Sequence, residues 1–161
     1  MAETVETQID ELEREVAQFV ESLDGVDPTG LSKRLGSWTP RDIIAHLIGW
    51  NRYSVRGCRD IAAGRLPFYD VDPGDNYQKI NAILVREYPS RDKTELLREL
   101  RRSVEELVSC LRELPPGDWE RDFGVRHRGE VVTIRSSVDE LVEDYVHHRG
   151  QISDWMSSSG N

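Results

Sequence analysis

Two residues near the C-terminal end of the chain, Asp144 and His148, could take part in chemistry together. His148 lies in an apolar stripe at a position where a helical bundle would normally carry leucine, and Asp144 precedes it by four residues. At about 100° per residue, Asp144 points only about 40° away from His148, whereas His147 points about 100° away. Because a buried imidazole needs a hydrogen bond or a metal ion, the pair indicates a polar site inside the fold.

A second imidazole, that of His46, lies about a hundred residues earlier. Thr39 is typical of a helix N-cap and Pro40 of a first helical residue. On the helix that follows, His46 shares one face with the large apolar residues Ile43 and Trp50. The spacing therefore predicts a second inward-facing histidine.

Together, His46, Asp144 and His148 form a set of two histidines and one carboxylate that suits a divalent metal ion. Two alternatives remain open at this point. The carboxylate could instead orient a histidine that acts as a metal-free general base, or the three side chains could form a purely structural polar core. Tyr145 and His147 are candidates for catalytic or supporting roles, and His147 could equally be a surface residue.

Two motifs carry a resemblance to a known family. Residues 38–50 read Trp-Thr-Pro-x-Asp-Ile-x-x-His-Leu-x-Gly-Trp, and residues 147–152 read His-His-Arg-Gly-Gln-Ile. Both resemble the DinB/YfiT-like superfamily of four-helix bundles, many of them metal-dependent, and the first is also similar to the ClbS/DfsB branch. In that family one metal histidine matches His46 and another matches His148. A third family histidine corresponds to Asp144, so this chain departs from the three-histidine pattern.

The resemblance implies a function as well as a fold. It implies a divalent metal, with zinc or nickel expected, and a low-molecular-weight thiol as a further cofactor. The implied reactions act on a small reactive electrophile by thiol-dependent S-transfer, isomerisation or hydrolysis. The alternatives are a metal-free binding protein for self-protection, similar to ClbS/DfsB, and a non-catalytic stress-related bundle. The apolar excess on the second helix permits a homodimer.

The apolar periodicity alone predicts an all-α fold. Four long amphipathic patterns, a shorter one and punctuating Gly and Pro residues are typical of a four-helix bundle with a crossover loop and a small β-like insert. The predicted helices cover residues 4–22, 40–63, 93–114 and 137–156, with a short piece at 76–87.

Two connecting segments could contribute to a site. Residues 65–75 contain two prolines and two aromatic residues, and predict either a plug at one end of the bundle or a lid over a substrate pocket. Residues 123–135 predict a small hairpin or extended loop. Its Arg126 and Arg128 stand out in an acidic chain, and are either solvated or bind the anionic group of a substrate or thiol cofactor.

Composition limits the classes of partner. The 161 residues predict one domain, with a core at 4–156 and a flexible tail at 157–161. A net charge of −9 and an isoelectric point near 5.0 argue against binding to nucleic acid or to an anionic membrane. Cys58 and Cys110 fit no metal or redox spacing, which favours free thiols in a cytoplasmic protein. A small-molecule substrate is the expected partner.

Overall fold

The computed structural model describes residues 2–71 and 77–159 of the chain, and within them the fold is a bundle of helices. None of the helices in this described part is long and apolar enough to cross a membrane. The helices are α1 (Ala2–Ser22), α2 (Pro40–Ala62), α3 (Phe68–Val71), α4 (Gln78–Glu87), α5 (Lys93–Glu113) and α6 (Ile134–Ser159), and the strands are β1 (Arg126–His127) and β2 (Glu130–Val131). The all-α prediction is confirmed.

Helix α2 lies at the centre of the bundle. It packs against α5, α4 and α6, while α1 packs against α6 and α5. The sequence explains this position, because α2 carries apolar residues on more than one face and buries Ile43, Ile44, Leu47 and Ile48 almost completely. A helix that is enclosed on several sides fixes the position of its polar side chains relative to its neighbours.

Helix α6 begins three residues earlier than predicted, at Ile134 rather than residue 137. Thr133 and Ser136 cap its first turn reciprocally: the Thr133 hydroxyl accepts from the Ser136 amide at 3.0 Å, and the Ser136 hydroxyl accepts from the Thr133 amide at 2.9 Å. The predicted start was wrong because Ser replaces the usual Glu or Gln of a capping box.

Helix α6 also continues through residues 157–159, which were predicted to be a flexible tail.

The crossover after α2 is partly helical. Phe68–Val71 forms a short helix that was predicted as loop. The remainder of the predicted loop, residues 72–75, and the predicted start of the next helix at residue 76 lie outside the described residues. So do the last two residues of the predicted tail.

The small hairpin predicted before the last helix is present. Arg126 pairs with Val131 and His127 with Glu130 in antiparallel register. Between the strands, Arg128 and Gly129 have φ angles of 54° and 83°. Two successive left-handed residues match the tight turn whose twist suits a hairpin.

Candidate functional site

A capped helix start sets the position of His46. The Thr39 hydroxyl accepts from the Asp42 amide at 3.1 Å, the Asp42 carboxylate accepts from the Thr39 amide at 3.1 Å, and Pro40 begins the helix. The buried Arg41 donates to the carbonyl of Ser90 at 3.0 Å. These bonds fix the register of α2, and hence the direction in which His46 points.

Asp144 bridges the two histidines. One of its carboxylate oxygens lies 3.0 Å from Nε2 of His46, and the other lies 3.2 Å from Nε2 of His148. His46 is 4% exposed and His148 6%, whereas Asp144 is half-buried. The structure thus brings together the three side chains that the sequence proposed as ligands.

The second ring nitrogen of His148 has a partner on the same helix. Its Nδ1 lies 2.7 Å from Oε1 of Gln151. Because an amide oxygen can only accept, the proton of a neutral His148 lies on Nδ1, and Nε2 then presents a lone pair towards Asp144. A lone pair facing a carboxylate oxygen is favourable only if a cation is shared between them or if the imidazole carries a second proton.

The second ring nitrogen of His46 is in a different situation. Its Nδ1 is buried and has no hydrogen-bond partner among the residues that the structure describes. An unpaired buried nitrogen costs on the order of 1–3 kcal/mol. The described residues therefore leave one hydrogen-bonding atom of this cluster unsatisfied.

An indole covers the two histidines. The Trp38 ring centroid lies 4.8 Å from that of His46 and 6.0 Å from that of His148, stacked on the latter with an interplanar angle of 21°. The two imidazoles are themselves 5.2 Å apart. The Trp38 ring shields this side of the cluster with apolar surface. Sequence reasoning missed both Trp38 and Gln151 as site residues, although each lies inside one of the two motifs.

The donor set fits a divalent metal ion. One ligand atom each from His46, Asp144 and His148 can be chosen such that all three lie within 4.8 Å of one another. Two imidazole nitrogens and a carboxylate suit zinc, nickel and iron, and a histidine held through its other nitrogen is typical of metal ligands. Gln151 provides that support to His148.

The charge state of the carboxylate agrees with this arrangement. Burial by itself raises the pKa of Asp144, but the hydrogen bonds from His148 and His46 and their charges more than offset it, and the pKa falls well below its usual range. Asp144 is therefore a carboxylate anion at neutral pH and can serve as a ligand.

The cluster opens onto a cavity of about 850 Å³. His46, Asp144, His147 and Arg128 line it. The other lining residues come from α2, the crossover, α4, the hairpin and α6, and they are Trp50, Ser54, Pro67, Tyr69, Asp70, Tyr77, Asn81, His127, Glu130, Val131, Val132, Ser136, Ser137, Glu140, Leu141 and Glu143. A cavity of this size accepts a small organic molecule.

Two of the candidate residues lie elsewhere. Tyr145 is fully buried, does not line the cavity, and donates its hydroxyl proton to Oδ1 of Asn51 at 2.8 Å. Arg126 is not among the lining residues either, and forms a two-pronged ion pair with Asp122 at 2.8 and 2.9 Å. Arg128 at the hairpin turn does reach the cavity.

Comparisons with known proteins place the chain in a family. The model of the mycothiol maleylpyruvate isomerase N-terminal domain matches residues 9–149. No match was found among curated proteins.

Several solved structures share the fold at low sequence identity. An uncharacterized protein from Clostridium difficile 630 is 15% identical, with a TM-score of 0.79 and 95% of each chain covered. An uncharacterised protein from Escherichia coli UTI89 is 17% identical, with a TM-score of 0.76, covering 97% of this chain and 94% of that one. The colibactin self-resistance protein ClbS, solved in complex with double-stranded DNA, is 14% identical, with a TM-score of 0.74 and 93% of each chain covered. Because the family model covers most of the chain, the chain belongs to the mycothiol maleylpyruvate isomerase N-terminal domain family, within the DinB-like superfamily.

Proposed function

We propose that this protein is a metal-dependent enzyme that binds a small reactive electrophile in the 850 Å³ cavity and reacts it with a low-molecular-weight thiol or with water. The reaction is an S-transfer, an isomerisation or a hydrolysis. The family supports the thiol, because its name combines mycothiol with an isomerase.

One observation carries the proposal. Nε2 of His46 and Nε2 of His148 flank the two oxygens of Asp144 at 3.0 and 3.2 Å, and Gln151 holds the other nitrogen of His148. Such an arrangement has the donors of a metal site and, at His148, the support that metal-binding histidines usually have. A divalent metal ion held there would act as a Lewis acid and would lower the pKa of a coordinated thiol or water.

The other residues of the cavity bind and orient the reactants. Trp38 excludes water from one side of the cluster. His147 is exposed and lines the cavity together with Asp144, so its imidazole can hydrogen-bond to a bound substrate. Arg128 can bind a carboxylate of the substrate or of the thiol. Tyr145 lies on the far side of this arrangement, and we assign it no chemical role.

The proposal includes a cytoplasmic location, which the free thiols of Cys58 and Cys110 support. It includes no nucleic-acid partner. ClbS was solved with DNA, but this chain carries a net charge of −9, which disfavours approach to phosphates.

A second candidate function is binding and sequestration of a small molecule without a metal ion. The likeness to the self-resistance protein ClbS favours it, and so does the ability of Asp144 to accept hydrogen bonds from both histidines. In that case the Asp144–His46 pair would act as a general base or as a polar binding site.

Metal analysis and turnover measurements separate the two candidates. We expect about one zinc or nickel ion per chain after reconstitution, and turnover of an electrophile such as maleylpyruvate with a panel of low-molecular-weight thiols. The variant His148→Gln should lose the metal ion and the turnover. The neighbouring substitution His147→Gln is the matched control, and should retain the metal ion. A protein that takes up no metal ion, or an adduct that forms without turnover, would favour sequestration.

A further inference from the structure

Beside the histidine–aspartate cluster, the cavity has a wall of aromatic and acidic side chains. We call it the aromatic–acidic wall, and it consists of Trp50, Tyr69, Tyr77, Asp70 and Glu140, all of which line the cavity. Neither the metal-binding residues nor the arginine of the hairpin belong to it. Its chemistry points to a class of substrate.

The aromatic rings of the wall are held in place. The Trp50 ring centroid lies 5.0 Å from that of Tyr69 and 6.0 Å from that of Tyr77, and the Trp50 indole donates to Asn81 at 2.8 Å. Tyr69 packs so closely on α2 that a Cβ at Gly57 would lie 2.6 Å from its hydroxyl. These rings meet at 39° and 76°, and an aromatic ring with an accessible face attracts a cation.

The tyrosine at the open side of the wall is fixed through its hydroxyl. Tyr77 donates to Oδ1 of Asp70 at 2.7 Å and has a left-handed backbone, with φ of 67°. Burial and then the hydrogen bond to Asp70 raise the pKa of Tyr77, while the charge of Arg128 opposes this. The ring and the carboxylate are therefore presented to the cavity as one unit.

The carboxylate of Glu140 is exposed at the cavity wall and has no ion-pair partner among the described residues. It forms no hydrogen bond or ion pair with any residue in the described part of the chain. Burial and then the negative charges of Asp70 and Glu143 raise its pKa, and only His127 opposes them. A bound cation would relieve this repulsion.

The charged side chains around the cavity are predominantly negative. Among the described residues that line it are five carboxylates and one arginine, Arg128. His46 also lines the cavity, is almost fully buried, and has no partner for its Nδ1 within the described residues.

We propose that the aromatic–acidic wall binds a protonated amino group of the substrate, with Glu140 and Asp70 supplying the negative charge and Trp50, Tyr69 and Tyr77 the aromatic faces. The inference rests on the proposed function in one respect only: it takes the molecule in the cavity to be the substrate. The substrate is then an amine-bearing electrophile, or the thiol is an aminothiol, and the amine end lies beside the site of reaction.

Three probes that differ in charge test the inference without any turnover. Calorimetric titration of 2-phenylethylammonium, 2-phenylethanol and 3-phenylpropionate is done with both metal-free and metal-loaded protein. We expect the ammonium to bind roughly tenfold more tightly than the neutral alcohol, from a partly solvated ion pair and a cation–π contact. The propionate should bind most weakly to the metal-free protein, which is the state that decides the inference, because a carboxylate can itself ligate a bound metal ion.

Two single substitutions locate the preference. Glu140→Gln should remove most of the ammonium preference and leave the binding of the alcohol unchanged. Glu21 is an exposed residue on α1 away from the cavity. Glu21→Gln removes the same charge and should change neither the ammonium preference nor the binding of the alcohol. Equal binding of the three probes, tighter binding of the propionate, no binding of any probe, or an unaltered preference in Glu140→Gln would each overturn the inference.

The outcome is separable from that of the metal-dependent reaction. Ammonium preference in a protein that takes up no metal ion would refute the proposed enzyme and keep the amine site. Metal-dependent turnover without ammonium preference would support the proposed enzyme and refute the amine site.

Discussion

Two polar clusters lie between α2 and α6, and they differ in how completely their hydrogen bonds are satisfied. We call the set Tyr145, Asn51 and Ser103 the closed cluster, and the set His46, Asp144 and His148 the open cluster. In the first, Tyr145 donates to Asn51 at 2.8 Å, Asn51 donates to Ser103 at 2.9 Å, and Ser103 donates to a backbone carbonyl at 2.7 Å. All three residues are fully buried. In the second, His46 keeps an unpaired ring nitrogen within the described part of the chain, and Asp144 opens onto the cavity.

The difference separates a cluster whose polar groups pair with one another from a cluster that we propose to be functional. Asn51 lies five residues after His46 on the same helix, and Tyr145 directly follows Asp144 on the other. Both clusters therefore lie on the same two helices, but Asp144 is only half-buried whereas Asn51 and Tyr145 are fully buried. Polar groups whose bonds form a closed chain add specificity to packing, whereas a group left unpaired beside a cavity is available to a ligand.

The largest effect is expected from Asp144→Asn, which keeps the shape of the side chain and removes its charge. The affinity of the protein for zinc should fall by about two to three orders of magnitude, since the roughly 10–16 kcal/mol of a structural zinc site is shared among four ligands. Competition with a chromophoric chelator measures this. Affinity equal to that of the wild type would show that Asp144 is not a ligand. The loss of a polar group from the other cluster, Tyr145→Phe, should leave zinc affinity unaltered.

The second prediction concerns stability, and it affects the closed cluster. Asn51→Ala should lower the free energy of unfolding by about 2–3 kcal/mol, because it leaves the buried hydroxyl of Tyr145 without an acceptor and creates a small cavity. Urea unfolding followed by circular dichroism measures the loss. His46→Leu is the comparison from the open cluster. It should keep or raise the stability while removing metal binding. A large loss of stability in His46→Leu would mean that the open cluster is structural too.

Much of the open cluster could be predicted from the sequence because the information is local. The spacing of four residues between Asp144 and His148 puts both on one face of a helix, and the Thr39–Pro40 start fixes the face on which His46 lies. The small hairpin could be predicted for the same reason, because turn-forming residues lie between residues that favour strands.

The closed cluster could not be predicted in this way. Tyr145 shares the apolar stripe of α6, but its hydroxyl meets Asn51 only because of the relative rotation and axial shift of α2 and α6, which neither helix encodes by itself. The roles of Gln151 and Trp38 also depend on contacts to the histidine rings, which spacing within one helix leaves undetermined. The cavity depends on the crossover, which the sequence allowed to be a plug or a lid.

A smaller effect is expected from the support given to His148. Gln151→Ala should weaken zinc binding by roughly 10- to 100-fold, because it removes the acceptor that keeps the proton on Nδ1 and the lone pair on Nε2. Gln151→Glu is the matched control. It keeps an acceptor at the same distance and should bind zinc at least as tightly as the wild type. Equal affinities in both variants and in the wild type would mean that Gln151 is only a surface partner.

The smallest effect is expected from Tyr145→Phe, and it tests whether the closed cluster is separate from the reaction. Loss of the hydroxyl leaves Oδ1 of Asn51 unpaired in the core, which should cost about 1 kcal/mol of unfolding free energy. Burial raises the pKa of Tyr145 even though the bond to Asn51 opposes this, so the phenol stays protonated at neutral pH and is not a base. We therefore expect zinc affinity and the turnover of an electrophile to be unchanged. If turnover fell tenfold while zinc affinity and stability stayed the same, Tyr145 would belong to the reaction, and the two clusters would work as one site.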